Sequence, residues 1–150
     1  MIFIAGHDIH AYPLAAFHEQ IVTVEQIPFL FSKTIGENVL FGDAEATQEQ
    51  MINVAQQADL HETVLNFPKQ YDTMVGERGV TLSGGQKQRI AMARAFLVDR
   101  SIILLDDVFS SVDTMTEKRI FEALKANYAD KTVLLITHRI SLLQQLDRVL

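Results

Sequence analysis

The sequence predicts an α/β fold in which helices cover a parallel sheet. Three short runs of β-branched or aliphatic residues, each nearly apolar on both faces, are typical of strands buried in such a sheet. These runs are residues 21–24, 102–105 and 133–136. Helical stretches lie between them, and this alternation favours a parallel sheet over an antiparallel one. The 150 residues, 48% of them apolar, are enough for the core of one domain.

The helices predicted between these strands span residues 47–58, 85–98 and 115–127. In the second helix the apolar residues recur at helical spacing, while Lys87, Arg89 and Arg94 lie largely off the apolar stripe. We therefore expect these cations to face solvent or a partner. Residues 29–42 mix apolar side chains with Gly36 and Gly42, a pattern that predicts a loop and turn with exposed phenylalanines.

Composition and charge argue against several functions. The formal net charge is −6 and the Lys and Arg residues are scattered, so nucleic acid is not an expected partner. The sequence has no cysteine, which excludes disulfides and thiolate metal sites. No apolar run approaches the ~20 residues of a transmembrane helix, and nothing resembles a secretory signal. We expect a cytoplasmic setting, with any role at a membrane exerted through a partner.

Residues 82–89 read LSGGQKQR and place two glycines at the beginning of an amphipathic helix. Ser83 and Gln86 have the spacing of a capping box, and Gly84 and Gly85 leave the first backbone N–H groups unobstructed. The end of such a helix can bind an anion. An ordinary capped helix is the alternative interpretation.

Two acids and a histidine follow predicted strands. Asp106 and Asp107 come directly after a fully apolar run, where a carboxylate is well placed to hold Mg²⁺ through water. The alternative is that they only end the strand, although adjacent buried acids are costly without a cation. His138 follows the last strand, where an imidazole can donate a hydrogen bond to a phosphate oxygen. A structural or surface role is its alternative.

Taken in order, these motifs resemble those of ATP-binding cassette (ABC) ATPase domains, in particular the domains of membrane exporters. LSGGQ resembles the signature, IILLDD the Walker B motif, VEQIPFLFSKTIGENVLFG the Q-loop region, SSVD the D-loop and ITH the switch histidine. Together they cover essentially the whole chain. The resemblance implies a P-loop NTPase-like fold with an incomplete parallel sheet and a helical signature subdomain at about residues 27–100.

The resemblance also implies ATP and Mg²⁺ as cofactors. Gln26 and Asp106 would hold the metal, and Gln26, Asp107 and His138 would act in catalysis. Fully active members usually carry Glu where this chain has Asp107, which is one methylene shorter. Because misplacing a catalytic group by ~1 Å can cost on the order of 100-fold in rate, we predict slow hydrolysis. Such an altered acid is typical of one subunit of a heterodimeric exporter.

The remaining resemblances concern partners. The signature residues 83–86 would bind ATP held by a second nucleotide-binding domain. Asp113 would communicate with that domain through the D-loop, and it can also be the N-cap of the following helix. Glu77, in VGERGV, resembles a loop that contacts the coupling helices of a transmembrane domain, with a solvated charge as the alternative. This arrangement implies a location on the cytoplasmic side of the plasma membrane.

A Walker A motif is missing from the sequence, because no glycine is followed by lysine. In the family this P-loop would precede Met1, so the resemblance implies a fragment that is inactive in isolation. Without the P-loop strand we expect exposed strand edges, weak stability and self-association. Two hypotheses remain. The chain is part of an ATPase that drives export, or it is a non-catalytic docking or regulatory module that retains only the signature surface.

Overall fold

The computed structural model describes residues 2–4, 6–76 and 80–149. Its N-terminal part forms an antiparallel hairpin of β1 (Phe3–Ile4) and β2 (His7–Asp8), followed by a 3₁₀ turn (Ile9–Ala11) and helix α1 (Leu14–Gln20). Helix α1 runs directly into β3 (Ile21–Val24), an edge strand of the main sheet.

The main sheet has three parallel strands in the order β3, β4 (Ile102–Asp106), β5 (Thr132–Ile136). Ile21 lies opposite Ile102, and Asp106 lies opposite Ile136 at the other end of the sheet. The central strand is the most buried, as a parallel sheet covered by helices requires. All three strands predicted from the apolar runs are confirmed to within one residue at each end.

Strand β5 forms the other edge of the sheet and is less well covered. Its Leu134 and Ile136 side chains are about half exposed, unlike those of the central strand. An exposed strand edge with apolar side chains is a template for pairing with another chain. The expected self-association therefore stays a prediction, which sedimentation of the purified chain would test.

Helices fill the two long connections between the strands of the main sheet, and one short helix follows β5. They are α2 (Ile35–Leu40), α3 (Gln48–Gln57), α4 (His61–Leu65), a 3₁₀ turn (Gln70–Asp72), α5 (Gly84–Leu97), α6 (Thr114–Asn127) and α7 (Ile140–Leu143). The three helices predicted from the sequence, α3, α5 and α6, form to within one residue at each end. Helix α5 is central to the core, since it packs against α2, α3 and β3. Among the described residues, every helix is too short or too polar to cross a bilayer.

The prediction of a loop over residues 29–42 is wrong where α2 forms. The Thr34 hydroxyl oxygen accepts a hydrogen bond from the Glu37 N–H at 3.1 Å, and Glu37 Oε2 accepts from the Thr34 N–H at 2.8 Å. This capping box starts the helix, and Ile35 and Val39 are fully buried against the core. Of the phenylalanines expected at the surface, Phe29 and Phe41 are exposed, whereas Phe31 is partly buried.

The expectation that Arg94 faces solvent or a partner is also wrong. Its guanidinium is half buried and donates to the Asn38 carbonyl at 2.8 Å, the Asn38 side-chain oxygen at 3.0 Å and the Phe29 carbonyl at 3.0 Å. It also lies over the rings of Phe31 and Phe41, 5.4 and 5.7 Å from their centroids. Burial lowers its pKa, but a guanidinium stays charged at neutral pH. Arg94 therefore fastens α5 to α2.

Arg89, one turn earlier on α5, departs from the prediction in the same way. It donates to the backbone carbonyl of Asp59 and, at 3.1 Å, to the Thr63 hydroxyl. The Asp59 carboxylate in turn accepts two hydrogen bonds from Arg119 of α6, at 2.7 and 2.8 Å. Long cationic side chains thus connect the helices instead of covering a polar face.

We expect Arg94→Lys to lower the free energy of unfolding by ~2–4 kcal/mol, because a compact ammonium cannot span the three acceptors that the guanidinium reaches and the buried Asn38 carbonyl loses its donor. Urea unfolding followed by circular dichroism measures this change. Arg148→Lys, at an exposed position, is the matched control and should leave the midpoint unchanged. Equal midpoints for both variants would contradict the assignment.

Candidate functional site

The candidate residues predicted from three separate motifs lie where parallel strands end. Gln26 follows β3, Asp106 is the last residue of β4, and His138 follows β5. Because the carboxyl ends of parallel strands meet at one edge of the sheet, these motifs share one side of the molecule. This edge is the usual ligand-binding side of open α/β sheets.

Asp107 occupies a turn with an unusual backbone conformation. Its φ is +45°, in the left-handed region, and its N–H donates to the Ile136 carbonyl at 2.9 Å. The Asp107 carbonyl accepts from the N–H and the hydroxyl of Ser110, at 3.2 and 2.9 Å. Non-glycine residues in this region cost ~1 kcal/mol or more and are concentrated at functional sites, and Asp is among those that tolerate it best.

The structure brings Gln26 and Asp107 into direct contact. Gln26 Nε2 donates to Asp107 Oδ2 at 3.1 Å, although the residues are 81 positions apart. The amide oxygen of Gln26 is not used in this bond. Gln26 is exposed and Asp107 partly exposed, so both groups are accessible from solvent.

The oxygen donors at this edge fit Mg²⁺. Carboxylates at positions 106 and 107 and the free amide oxygen of Gln26 are hard ligands of the kind Mg²⁺ prefers, and one or two carboxylates are enough when water and phosphate complete the shell. In the part of the chain that the structure describes, no three His, Cys, Asp or Glu side chains could enclose a metal ion. These donors would hold Mg²⁺ only with water and phosphate completing its shell, and the metal role of Asp106 stays a prediction.

The signature helix begins with the capping box predicted from its sequence. The Ser83 hydroxyl oxygen accepts from the Gln86 N–H at 3.2 Å, and Gln86 Oε1 accepts from the Ser83 N–H at 2.9 Å. The hydroxyl can still donate its own proton. The N–H groups of Gly84 and Gly85 belong to the first turn and have no acceptor within the helix. This end of α5 fits a phosphate group.

The D-loop, residues 110–113, approaches both signature glycines, and at Gly85 it leaves no room for a side chain. A Cβ added to Gly85 would lie 2.6 Å from the Ser111 carbonyl oxygen, and one on Gly84 would lie 3.1 Å from the Ser111 hydroxyl. The sequence analysis identified the glycines but missed Ser111. A contact made by a backbone carbonyl does not depend on the type of residue, so the sequence does not indicate it.

Asp113 is the N-cap of α6, as one of its two interpretations predicted. Its Oδ1 accepts from the N–H groups of Thr116 at 3.0 Å and Met115 at 3.1 Å. The hydrogen bonds from Thr116, and to a smaller extent Met115, lower the pKa of this carboxyl. The cap is therefore complete at neutral pH and is lost as the pH falls through that lowered pKa. The communicating role of Asp113 stays a prediction.

A buried glutamine connects the signature helix to the Q-loop, and the sequence analysis missed it. Gln88 is 2% exposed, and its Nε2 donates to the carbonyl of Glu25 at 3.0 Å. Glu25 immediately precedes Gln26, so this bond fixes the backbone that carries the Q-loop side chain. The only sequence signal was a glutamine two residues after the LSGGQ motif.

Two further predictions are not tested by these contacts. His138 is exposed, and the hydrogen bond nearest to it joins the Arg139 N–H to the Thr137 hydroxyl at 3.1 Å. Its role at a phosphate stays a prediction. Glu77 lies outside the residues that the structure describes.

Comparison with known proteins identifies the family. The sequence model described as ABC transporter matches residues 1–110. The chain belongs to the ABC transporter family. The resemblance found from the motifs is thereby confirmed at the level of the family.

The ABC chain is similar to proteins that are named for export. Proteins of Staphylococcus aureus strains bovine RF122 / ET3-1 and Mu50 / ATCC 700699, named for multidrug export as ATP-binding/permease proteins, are 43% identical to it over 148 residues. The match covers 99% of this chain and 26% of theirs. The structure of a bacterial Atm1-family ABC exporter with ATP bound superposes with a TM-score of 0.87 at 35% identity, over 94% of this chain and 25% of that one.

These comparisons confirm the predicted α/β fold of an ABC ATPase with a parallel sheet. The chain spans about a quarter of the length of the relatives it matches. The activity, substrates and partners of a whole exporter are therefore matters for proposal.

Proposed function

We propose that this chain is part of the ATP-hydrolysing domain of a membrane exporter. The observation that carries the proposal is the hydrogen bond between Gln26 and Asp107, which joins two motifs 81 residues apart at the ligand-binding edge of the sheet. Membership of the ABC family and similarity to proteins named for multidrug export support it.

Each residue at this edge has a chemical role in the proposal. Asp107 orients the attacking water and accepts its proton, while Gln26 holds the Asp107 carboxylate in place. Asp106 and Gln26 would hold Mg²⁺, and His138 would donate a hydrogen bond to the terminal phosphate. Bound Mg²⁺ supplies positive charge against the charge that develops on the phosphate oxygens.

The signature surface acts on a second nucleotide-binding domain. The exposed Ser83 hydroxyl and the N–H groups of Gly84 and Gly85 contact phosphate bound by that domain. Since Asp107 replaces the usual longer acid, the second domain belongs to a different subunit with an intact site. Coupling helices of a transmembrane domain hold both nucleotide-binding domains at the cytoplasmic face of the plasma membrane. Closure of the two domains then moves the cargo through the transmembrane domain.

The proposal is tested in a hybrid protein, the exchanged exporter, in which this chain replaces the matching 148 residues of the Staphylococcus aureus relative. Mg²⁺-dependent ATP hydrolysis by this hybrid is measured in lipid vesicles. We expect turnover by the exchanged exporter, none by the isolated chain, and a loss with Gln26→Ala. An assembled exporter without turnover would support the docking or regulatory module instead. Hydrolysis by the isolated chain that Gln26→Ala and Ser83→Arg abolish would contradict this account of phosphate binding.

We expect Ser83→Ala to lower turnover of the exchanged exporter by roughly 10-fold, since it removes a hydroxyl donor to phosphate together with an N-cap worth ~1 kcal/mol. Thr47→Ala is the matched control, because Thr47 and Gln50 form the same kind of capping box on α3, away from the site. It should lose similar stability and keep its turnover. Equal loss of turnover in both variants would show that only the cap matters.

A further inference from the structure

We infer that Arg139 is a positioning residue which, together with Glu117, fixes the D-loop backbone between the switch segment, residues 137–139, and the signature helix. This inference deepens the proposed function and rests on it. It depends on contacts that no motif predicted.

The first observation is a buried ion pair. Arg139 Nη1 contacts Glu117 Oε2, and Arg139 Nη2 donates to the carbonyl of Val112 at 2.9 Å. The Glu117 side chain is 5% exposed and that of Arg139 30%. A planar guanidinium can direct two N–H groups at two acceptors in fixed geometry. Glu117 therefore orients Arg139, and Arg139 holds a D-loop carbonyl.

The second observation is what lies on either side of Val112. The preceding residue, Ser111, presents the carbonyl that would lie 2.6 Å from a Cβ on Gly85. The following residue, Asp113, caps α6. Only the φ and ψ of Val112 separate the held Val112 carbonyl from the Ser111 peptide that abuts the signature glycines. The N–H of that peptide donates to the Phe109 carbonyl at 3.0 Å, so both peptide planes are restrained.

The third observation is the set of hydrogen bonds that joins the beginning of the D-loop to Asp107, the candidate catalytic acid. Ser110 donates to the carbonyl of Asp107, and Asp107 donates to the carbonyl of Ile136, the last residue of β5. The D-loop is therefore attached to the Asp107 turn at its beginning and to Arg139 near its end. A shift of His138 moves the adjacent Arg139, and Arg139 carries the shift to the signature helix.

The experiment measures backbone hydrogen exchange by mass spectrometry in the 150-residue chain and in its Arg139→Lys variant. Lysine keeps the charge opposite Glu117 but loses the second directed donor, to Val112. We expect exchange to become ~10-fold faster at residues 111–117 and 84–88, with α3 unchanged. Arg94→Lys is the matched control. It should speed exchange most in α2, and residues 111–117 should respond no more than the rest of the chain.

Two outcomes of this measurement would overturn the inference. Unchanged exchange at residues 111–117 would show that Arg139 does not hold the D-loop. Equal acceleration in α3 would show that the ion pair only stabilises the whole fold. Glu117→Gln provides a second test if Arg139→Lys does not fold. It removes the negative charge that orients the guanidinium toward the Val112 carbonyl, so exchange in the same two segments should become faster.

The exchanged exporter gives the functional readout. We expect Arg139→Lys to lower kcat ~10-fold while KM for ATP changes by less than about 2-fold, since Arg139 positions the D-loop and does not contact nucleotide. A parallel rise in KM, or an unchanged kcat, would overturn this part. An exchanged exporter without any ATPase activity would contradict the proposed function. The inference about Arg139 would still be decided by hydrogen exchange, because that measurement needs no nucleotide.

Discussion

Replacing Asp107 by Glu is expected to raise ATP turnover of the exchanged exporter by roughly 10- to 100-fold. Asp107 is anchored by its backbone bond to Ile136, so the turn cannot move forward to compensate for a short side chain. One added methylene extends the carboxylate by ~1 Å toward the water, a distance to which proton transfer is strongly sensitive. The contact with Gln26 should survive, since both side chains are accessible from solvent.

The same substitution should cost stability. Asp107 has a φ of +45°, and Glu tolerates this conformation less well than Asp, so we expect the free energy of unfolding to fall by ~1 kcal/mol. Asp107→Asn is the matched control, because Asn suits the backbone and keeps an acceptor for Gln26 but has no basic carboxylate. It should fold normally and lose turnover. Turnover of Asp107→Glu equal to or below that of the native chain would contradict the assignment of the acid.

Gly85→Ala should have the largest structural effect at the signature. Its Cβ would meet the Ser111 carbonyl oxygen at 2.6 Å, and a backbone atom cannot rotate away, so we expect a loss of ~1–3 kcal/mol and at least 10-fold lower turnover. Gly84→Ala is the matched control. Its Cβ would meet the rotatable Ser111 hydroxyl at 3.1 Å and the Cβ of Ser111 at 3.2 Å, so a small adjustment should suffice.

A second control separates stability from function in the Gly85 variant. Gly42→Ala places a Cβ 2.4 Å from the Arg94 carbonyl oxygen, which is a backbone clash of the same kind in another part of the core. We expect comparable destabilisation by chemical unfolding, with turnover of the folded fraction retained. If Gly42→Ala and Gly85→Ala lose turnover in proportion to stability alone, the Ser111 contact has no specific role.

Much of the fold could be predicted from the sequence because the strands coincide with short runs of β-branched or aliphatic residues, although only the central strand is well covered. Helix α2 was missed because Gly36 suggests a turn, yet the spacing of Thr34 and Glu37 was already that of a capping box. Arg94 was misplaced for a different reason. Helical periodicity shows which positions are charged but not whether a long cation reaches buried carbonyls.

In the candidate site, too, local contacts could be predicted from the sequence and long-range contacts could not. The cap formed by Ser83 and Gln86 was predictable, since it depends on residues three positions apart. Gln26 and Asp107 could be assigned to one sheet edge by topology, but their hydrogen bond depends on turns that no local pattern specifies. The contact of Arg139 with the Val112 carbonyl was beyond prediction, because a backbone acceptor has no residue type to recognise.

The order of strands in the sheet also sets when the site can form during synthesis. The central strand β4 is made after β3 and before β5, and parallel neighbours pair only once the intervening helices are in place. At ~5–20 residues per second, Gln26 leaves the ribosome on the order of ten seconds before Asp107, 81 residues later, can join it. The Asp107 turn then depends on β5 for the Ile136 carbonyl. A nascent chain interrupted before β5 therefore carries the signature helix without a completed acid turn.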